Sequence, residues 1–252
     1  MADIKIPYKV IFDGLDADQN QLEAYAASKS LEGLTWALST TINFAVTGKY
    51  KSRGDMSKSA RIYMSPARQG SFIVAMDAWV VANPFLATVA LGGAVSVVAP
   101  YVNKTIEYVF GRALGSVSDL PDGFRKYYKR LSKEERNQLD TLVQRIEPPL
   151  SRAHTVIGQT AGEVTFKSKR TDLFTMNQTT KEYIEAKPLD TPEVMETNVT
   201  AYNVVSRNGR MYDPVNGNTA AFTLVKSPLK GTANTITTSL DQWAPRFLNN
   251  FC

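Results

Sequence analysis

The sequence has very little of the side-chain chemistry on which enzymes and metal sites commonly rely. Its 252 residues include one histidine, His154, and one cysteine, Cys252. A zinc site needs several His or Cys ligands, so zinc-binding classes are excluded. A single cysteine also cannot form a disulfide within the chain. A Ser-His-Asp triad would have to use His154, and no catalytic motif is specific enough to name a reaction. We therefore expect a non-enzymatic protein without a cofactor or a metal.

The overall composition is that of an ordinary globular protein. Hydrophobic residues make up 43% of the chain and charged residues 21%, which is far from the composition of disordered chains. The 29 Lys and Arg exceed the 24 Asp and Glu, giving a formal net charge of +5. This surplus permits an acidic partner but does not require one. The first residues lack a basic stretch followed by an apolar stretch, so we expect a cytoplasmic protein.

The N-terminal part carries the pattern of an α+β unit. Alternating apolar residues from Ile4 to Phe12 predict a half-buried strand, and Pro7 favours a sheet edge for it. A helix capped near Asp18 and ending at Gly48 follows. The segments "ARIYMS" and "GSFIVAMDAWV" predict two strands that form a hairpin through "PARQG".

The most unusual feature is a long stretch without charge, "WVVANPFLATVALGGAVSVVAPYV", from Trp79 to Val102. Asn is a good helix cap and Pro is favoured at the first helical position, so Asn83-Pro84 predicts a helix over 84–102. Its 19 residues would measure about 28 Å at 1.5 Å per residue. That is just enough to cross a hydrocarbon core of about 30 Å.

Burial in protein is the interpretation we favour for this helix. One span in the middle of the chain would place two halves on opposite sides of a membrane, without a charge bias to direct them. Paired glycines allow another backbone to approach closely, so the helix would pack within its own domain or between identical subunits. A conditional alternative is burial at rest and release into a bilayer after a trigger. The residues expected to carry either role are Pro84, Leu86, Ala90, Gly92, Gly93 and Val97.

A second candidate site is the basic and aromatic segment "FRKYYKRLSKEER". Cations can neutralise phosphates and aromatic rings can stack on bases, so the segment suggests binding to nucleic acid or another phosphate group. The alternative is a solvated helix face. The candidate residues are Arg125, Lys126, Tyr127, Tyr128, Lys129 and Arg130.

The rest of the chain predicts one more long helix and then a change of character. Ser132 and Glu135 form a capping box, and Pro148-Pro149 are expected to end the helix that it starts. We place a domain boundary after residue 158. Residues 159–252 are expected to form a small β-rich domain, a meander or small barrel, with Asn-Gly turns at 208–209 and 216–217 and a helical C-terminal segment.

The order of these segments resembles a known kind of protein. The stretches "VIFDGLDADQNQLEAYAASKSLEGLTWAL", "SPARQGSF" and "VVSRNGRMYD" are similar to uncharacterised bacterial proteins of unknown function, some of which are carried with phage-defence genes. The resemblance implies a role in defence or counter-defence and identifies no functional residue.

Taken together, the sequence predicts an α+β protein with a central apolar helix over residues 1–158, followed by the β-rich domain. The function we expect is self-association, as a homo-oligomer, or binding to another macromolecule. The alternatives are a membrane-perturbing effector that uses residues 84–102, a nucleic-acid-binding protein that uses residues 125–133, and an enzyme with an unobvious acidic site.

Overall fold

The computed structural model describes residues 3–50, 59–68, 72–92, 94–115, 123–185, 197–202, 208–213 and 218–224, with residues 236 and 239. The chain divides into two compact units. The first comprises Met1–Leu114 with Leu120–Glu185, and the second comprises Gly115–Asp119 with Ala186–Cys252. The boundary expected after residue 158 therefore lies inside the first unit, which extends to Glu185.

The first unit contains five strands and six α-helices among the described residues. The strands are β1 (Asp3–Asp13), β2 (Ala60–Arg68), β3 (Phe72–Val81), β4 (Glu163–Ser168) and β5 (Thr171–Met176). The helices are α1 (Ala24–Thr47), α2 (Pro84–Ala90), α3 (Val95–Ala113), α4 (Arg125–Tyr128), α5 (Lys133–Ala153) and α6 (Gln178–Glu185), with 3-10 turns at Leu15–Gln19 and His154–Val156. The predicted α+β class is confirmed.

The five strands form one antiparallel sheet in the order β2-β3-β1-β4-β5. The apolar alternation in β1 is confirmed, because Ile4, Ile6, Tyr8, Val10 and Phe12 are all at most 3% exposed. These side chains belong to the core cluster that the helices α1, α3 and α5 share. Each strand thus presents one row of side chains to the helices and the other row to the opposite face of the sheet.

The edge position suggested by Pro7 is wrong, since β1 lies between β3 and β4. Pro7 pairs with Asp77 of β3, but β4 pairs only with Lys9–Asp13. The proline therefore lies beyond the end of β4, where its missing N–H costs no ladder hydrogen bond on that side.

The start of α1 also differs from the expectation. The helix begins at Ala24, and its cap is Glu23, whose carboxylate accepts hydrogen bonds from the N–H groups of Tyr25 and Ala26. Asp18 instead accepts a hydrogen bond from the N–H of Gly14 and stabilises the 3-10 turn. Gly48 ends the helix in the left-handed conformation, as predicted.

The capping box of α5 is confirmed, with both reciprocal bonds between Ser132 and Glu135 present. The prediction that Pro148-Pro149 end this helix is wrong, because α5 continues to Ala153. Contacts with α1 hold the last turn in place. Arg152 forms an ion pair with Glu32 at 2.8 Å, and the residues Pro149, Leu150 and Ala153 are buried.

The second unit contains the strands β6 (Val199–Tyr202), β7 (Asn208–Asp213) and β8 (Asn218–Thr223). They form an antiparallel sheet in the order β6-β7-β8, which confirms the meander. The turn predicted at Asn208-Gly209 is wrong, because both residues pair with β8 inside β7. The turn predicted at 216–217 and the helical C-terminal segment lie outside the described residues, apart from positions 236 and 239.

Candidate functional site

The uncharged stretch folds into two helices rather than the single helix expected over 84–102. The predicted start is correct: the Asn83 side-chain oxygen accepts a hydrogen bond from the N–H of Leu86 at 3.0 Å, and Pro84 opens α2. The helix α2 then ends at Ala90 and α3 begins at Val95, with a bend of 82° between them. The segment therefore turns a corner instead of forming a rod.

One side of each helix in the stretch is buried in the protein's own core. In α3, the side chains of Val98, Tyr101 and Val102 have no exposed surface, and in α2 the side chain of Leu86 has none. The helix α3 contacts α1, α5, β1 and β5. The Asn83 amide also donates to the carbonyl of Val46 at 2.9 Å, which ties the start of α2 to the end of α1.

The junction between the two helices is exposed to solvent. Leu91 is 68% exposed and Val95 is 51% exposed, and Ala87 and Ala94 are also exposed. We call Ala87, Leu91, Ala94 and Val95 the apolar corner. Two large aliphatic side chains four positions apart and facing water are a cost to a protein unless another surface covers them.

The backbone at the corner is also strained. Leu91 has φ +57° and ψ +49°, which is the left-handed helical region. This conformation is uncommon for residues other than glycine and costs a leucine on the order of 1 kcal/mol. The N–H groups of Leu91 and Gly92 both donate to the carbonyl of Ala87, so the turn that ends α2 is nevertheless well hydrogen-bonded.

The six residues predicted for the assembly or membrane helix are thus divided between the core and the surface. Leu86 and Ala90 are buried, Gly92 and Val97 are half-buried, and Pro84 is exposed. Gly93 lies outside the described residues. The sequence pattern missed Leu91 and Val95, because an apolar residue in a helical stretch gives no sign that the helix bends at that point.

The basic and aromatic segment forms α4, the turn after it and the first turn of α5. Tyr127 is 5% exposed, with its ring centroid 5.1 Å from that of Tyr101. Tyr128 is half-buried, and the Arg136 guanidinium lies 4.9 Å from its ring centre. Both tyrosines therefore pack within the fold. Stacking of bases on Tyr127 would require the ring to leave the core.

The cations of this segment have two different environments. Lys126 and Lys129 are exposed, whereas Arg125 and Arg130 are half-buried. The guanidinium of Arg130 donates a 2.8 Å hydrogen bond to the carbonyl of Val89, in the last turn of α2. This bond satisfies a helix-terminal carbonyl and connects the basic segment to the last turn of α2, two residues before Leu91 of the apolar corner, although 41 residues separate Arg130 from Val89 in sequence.

The single histidine has a structural environment. His154 is buried, and its Nδ1 lies 2.7 Å from the carbonyl of Leu150 while its Nε2 lies 2.8 Å from the hydroxyl of Thr180. A carbonyl can only accept, so Nδ1 carries the proton and Nε2 accepts from Thr180. Burial lowers the pKa of His154 below its ordinary value, which keeps the ring neutral.

No three His, Cys, Asp or Glu side chains in the described ranges come together as metal ligands. No single helix in them has the length and hydropathy needed to cross a membrane, and α2 and α3 reach those values only when taken together across their bend.

Comparison with known proteins identifies the family. The family described as a domain of unknown function (DUF7946) matches residues 8–185. The chain belongs to this family. The match agrees with the resemblance of the sequence to proteins of unknown function. No curated protein and no solved structure matches the chain.

The DUF7946 match ends at Glu185, where the first compact unit also ends. The DUF7946 domain therefore contains the helices α1 to α6 and nearly all of the five-stranded sheet. It includes both the apolar corner and the basic segment, so both are features of this domain and not of the β6-β7-β8 meander.

Proposed function

We propose that the protein is a non-enzymatic, peripheral membrane-binding protein that inserts the apolar corner into an anionic lipid surface. The proposal rests on the exposure of Leu91 and Val95. It also rests on the hydrogen bond from Arg130 to Val89, which holds a segment with exposed cations, among them Lys126 and Lys129, against the last turn of α2. Peripheral binding depends on buried apolar area together with attraction to anionic headgroups. The apolar corner would supply the apolar area, and the lysines would supply the attraction to the headgroups.

The expected affinity can be worked out from these side chains. At about 0.8 kcal/mol for each buried CH₂ group, the exposed parts of Leu91 and Val95 contribute about 3 kcal/mol in total. Two lysines near an anionic surface add about 1 kcal/mol each. A sum of about 5 kcal/mol corresponds to weak, reversible binding, comparable with that of a single acyl chain. Binding should therefore require anionic lipid and weaken with salt.

Self-association through the same corner is a weaker explanation of the exposure. A twofold pair would place identical surfaces against each other, so Lys126 and Lys129 of one copy would approach those of the other. Like charges facing across an interface oppose association, whereas an anionic membrane attracts them. A homo-oligomer that used the corner should therefore form more readily as the salt concentration rises, which is the opposite of the dependence expected for lipid binding.

The cytoplasmic face of a membrane is the location we propose, because anionic lipids concentrate on that leaflet. We also propose phage defence or counter-defence as the biological setting, which is supported by the resemblance of the sequence to proteins carried with defence genes. In a host that the intact protein protects, a variant with a polar corner should fail to reduce plaque formation. Equal protection by the intact protein and the variant would mean that the defence role does not depend on membrane binding.

Cosedimentation with vesicles tests the lipid proposal. The intact chain should bind phosphatidylserine-containing vesicles and not purely phosphatidylcholine vesicles. The double variant Lys126→Gln/Lys129→Gln should lose about 2 kcal/mol of binding free energy, or roughly 30-fold in partition. The matched control is Lys29→Gln/Arg170→Gln, which removes two exposed cations outside the segment. Absence of binding to both vesicle types, or equal losses in the two double variants, would refute the proposal.

A further inference from the structure

A second surface of the DUF7946 domain carries exposed aromatic and basic side chains together. The helices of the domain cover one face of the five-stranded sheet, and the residues that alternate with the core rows lie on the other face. We call this second surface the open face. Its aromatic and basic residues are Lys5, Lys9, Arg61, Tyr63, Trp79 and Lys167.

The strand register brings these residues into one group. Trp79 of β3 pairs with Lys5 on one side and with Arg61 on the other. Tyr63 pairs with Asp77, two residues before Trp79 on the same strand. Side chains directly opposite or diagonal on neighbouring strands are within reach of each other, so the two aromatic rings lie on adjacent strands with a cation on each side of the indole.

Both aromatic rings are accessible to a ligand. Tyr63 is 52% exposed and Trp79 is 38% exposed. The Lys5 ammonium lies 5.8 Å from the centre of the Trp79 ring and forms an ion pair with Asp77 at 2.8 Å. Large aromatic side chains that face solvent on a sheet are a common platform for unstacked bases.

The open face carries both signs of charge, with Asp13 and Glu163 opposite each other at the end of β1 that is distant from Trp79, and its cations lie nearer to the aromatic rings. Two of its cations are neutralised, Lys5 by Asp77 and Lys167 by Asp172, each at 2.8 Å. Lys9 and Arg61 form no ion pair with any described residue. Lys9 also lies directly opposite Lys167, so a phosphate bound at Lys9 would be within reach of both ammonium groups.

We propose that the open face binds single-stranded nucleic acid, with bases stacked on Trp79 and Tyr63 and phosphates bound by the neighbouring cations. A duplex is a poor fit because its bases are already stacked on each other and cannot reach flat aromatic rings. An anionic vesicle would use the cations but would gain little from this face, which has polar and charged side chains around its two aromatic rings. The inference does not depend on the apolar corner.

Fluorescence anisotropy with a labelled 12-residue oligothymidylate tests the proposal on the full chain. Loss of one stacking platform should weaken binding by about tenfold, so Tyr63→Thr, on the edge strand β2, is expected to raise the Kd by that factor. The variant Lys9→Gln should reduce the slope of log Kd against the logarithm of the salt concentration by about 0.7. These two variants change exposed side chains, and thermal unfolding checks that each retains its fold.

The chain offers a matched control on α1. Tyr25 is 72% exposed, and the Lys29 ammonium lies 6.0 Å from its ring centre. The two residues therefore form an exposed pair of an aromatic ring and a cation outside the open face. Tyr25→Thr and Lys29→Gln should leave the Kd unchanged. The proposal is overturned if the oligonucleotide does not bind at low salt, if Tyr63→Thr and Tyr25→Thr behave alike, or if duplex DNA, inorganic polyphosphate or phosphatidylserine vesicles compete as well as the unlabelled oligonucleotide.

Discussion

Replacing Leu91 with asparagine should have opposite effects on stability and on membrane binding. Asparagine tolerates the left-handed conformation that Leu91 adopts at φ +57°. The substitution also removes an apolar side chain that is 68% exposed. The free energy of unfolding should therefore rise, by about 0.5–1 kcal/mol, since strain of this kind costs a leucine on the order of 1 kcal/mol.

Membrane binding should fall by a larger amount in the same variant. The exposed part of the Leu91 side chain corresponds to about 2 kcal/mol of transfer free energy, at about 0.8 kcal/mol for each CH₂ group. That loss is roughly a 30-fold reduction in partition onto phosphatidylserine vesicles. The assays are urea unfolding for the first effect and vesicle cosedimentation for the second.

Leu15 provides a matched control for this experiment. It is also a leucine in the left-handed region, with φ +56°, and it is 54% exposed, but it lies in the 3-10 turn after β1 and not at the corner. Leu15→Asn should raise stability in the same way and leave vesicle binding unchanged. The reasoning is refuted if Leu91→Asn binds vesicles as well as the intact chain does, or if Leu15→Asn loses binding equally.

Three further predictions concern the fold that supports the corner. Gly33→Ala should destabilise the protein by about 3 kcal/mol or more, because a Cβ at Gly33 would lie 2.3 Å from the carbonyl oxygen of Pro149; an unchanged melting temperature would mean that α1 and α5 are not in close contact. Ser132→Ala removes the capping box and should lower the free energy of unfolding, measured with urea, by about 1 kcal/mol. An unchanged free energy of unfolding would contradict the cap seen at the start of α5. Burial holds the pKa of the single histidine, His154, below its ordinary value, so the unfolded chain takes up a proton first as the pH falls. Stability from this residue is therefore complete above about pH 6.5 and declines below it. When the pH is lowered from 7.5 to 5.5, the urea concentration at the unfolding midpoint should fall in the intact chain and fall less in His154→Phe. Identical pH profiles of the two proteins would exclude His154 as the cause.

Local signals in the sequence predicted much of the fold. The period-two alternation of β1, the cap and first-turn proline of α2, and the capping box of α5 are each encoded by a few adjacent residues, and all three are present in the structure. The predictions that failed depend on distant contacts. Pro148 and Pro149 should end a helix by local rules, but the ion pair of Arg152 with Glu32 and the packing on α1 maintain its last turn.

The candidate surface could be predicted only in part for the same reason. Composition identified the uncharged stretch and the basic segment as two separate features. The bend at Leu91 and the hydrogen bond from Arg130 to Val89 bring them together, and neither has a signature in adjacent residues. The open face of the sheet could not be recognised either, because its members come from four strands whose order is set by pairings between residues up to 158 positions apart, such as Lys9 with Lys167.

The most direct test of the proposed function is to measure whether the corner itself enters the lipid. A fluorophore sensitive to polarity is attached to a cysteine at position 91 in a chain that also carries Cys252→Ser, with a cysteine at position 15 as the control. Phosphatidylserine vesicles should shift the emission of the label at position 91 to the blue and leave the emission at position 15 unchanged. Unchanged emission at position 91, while the protein sediments with the vesicles, would contradict insertion of the apolar corner.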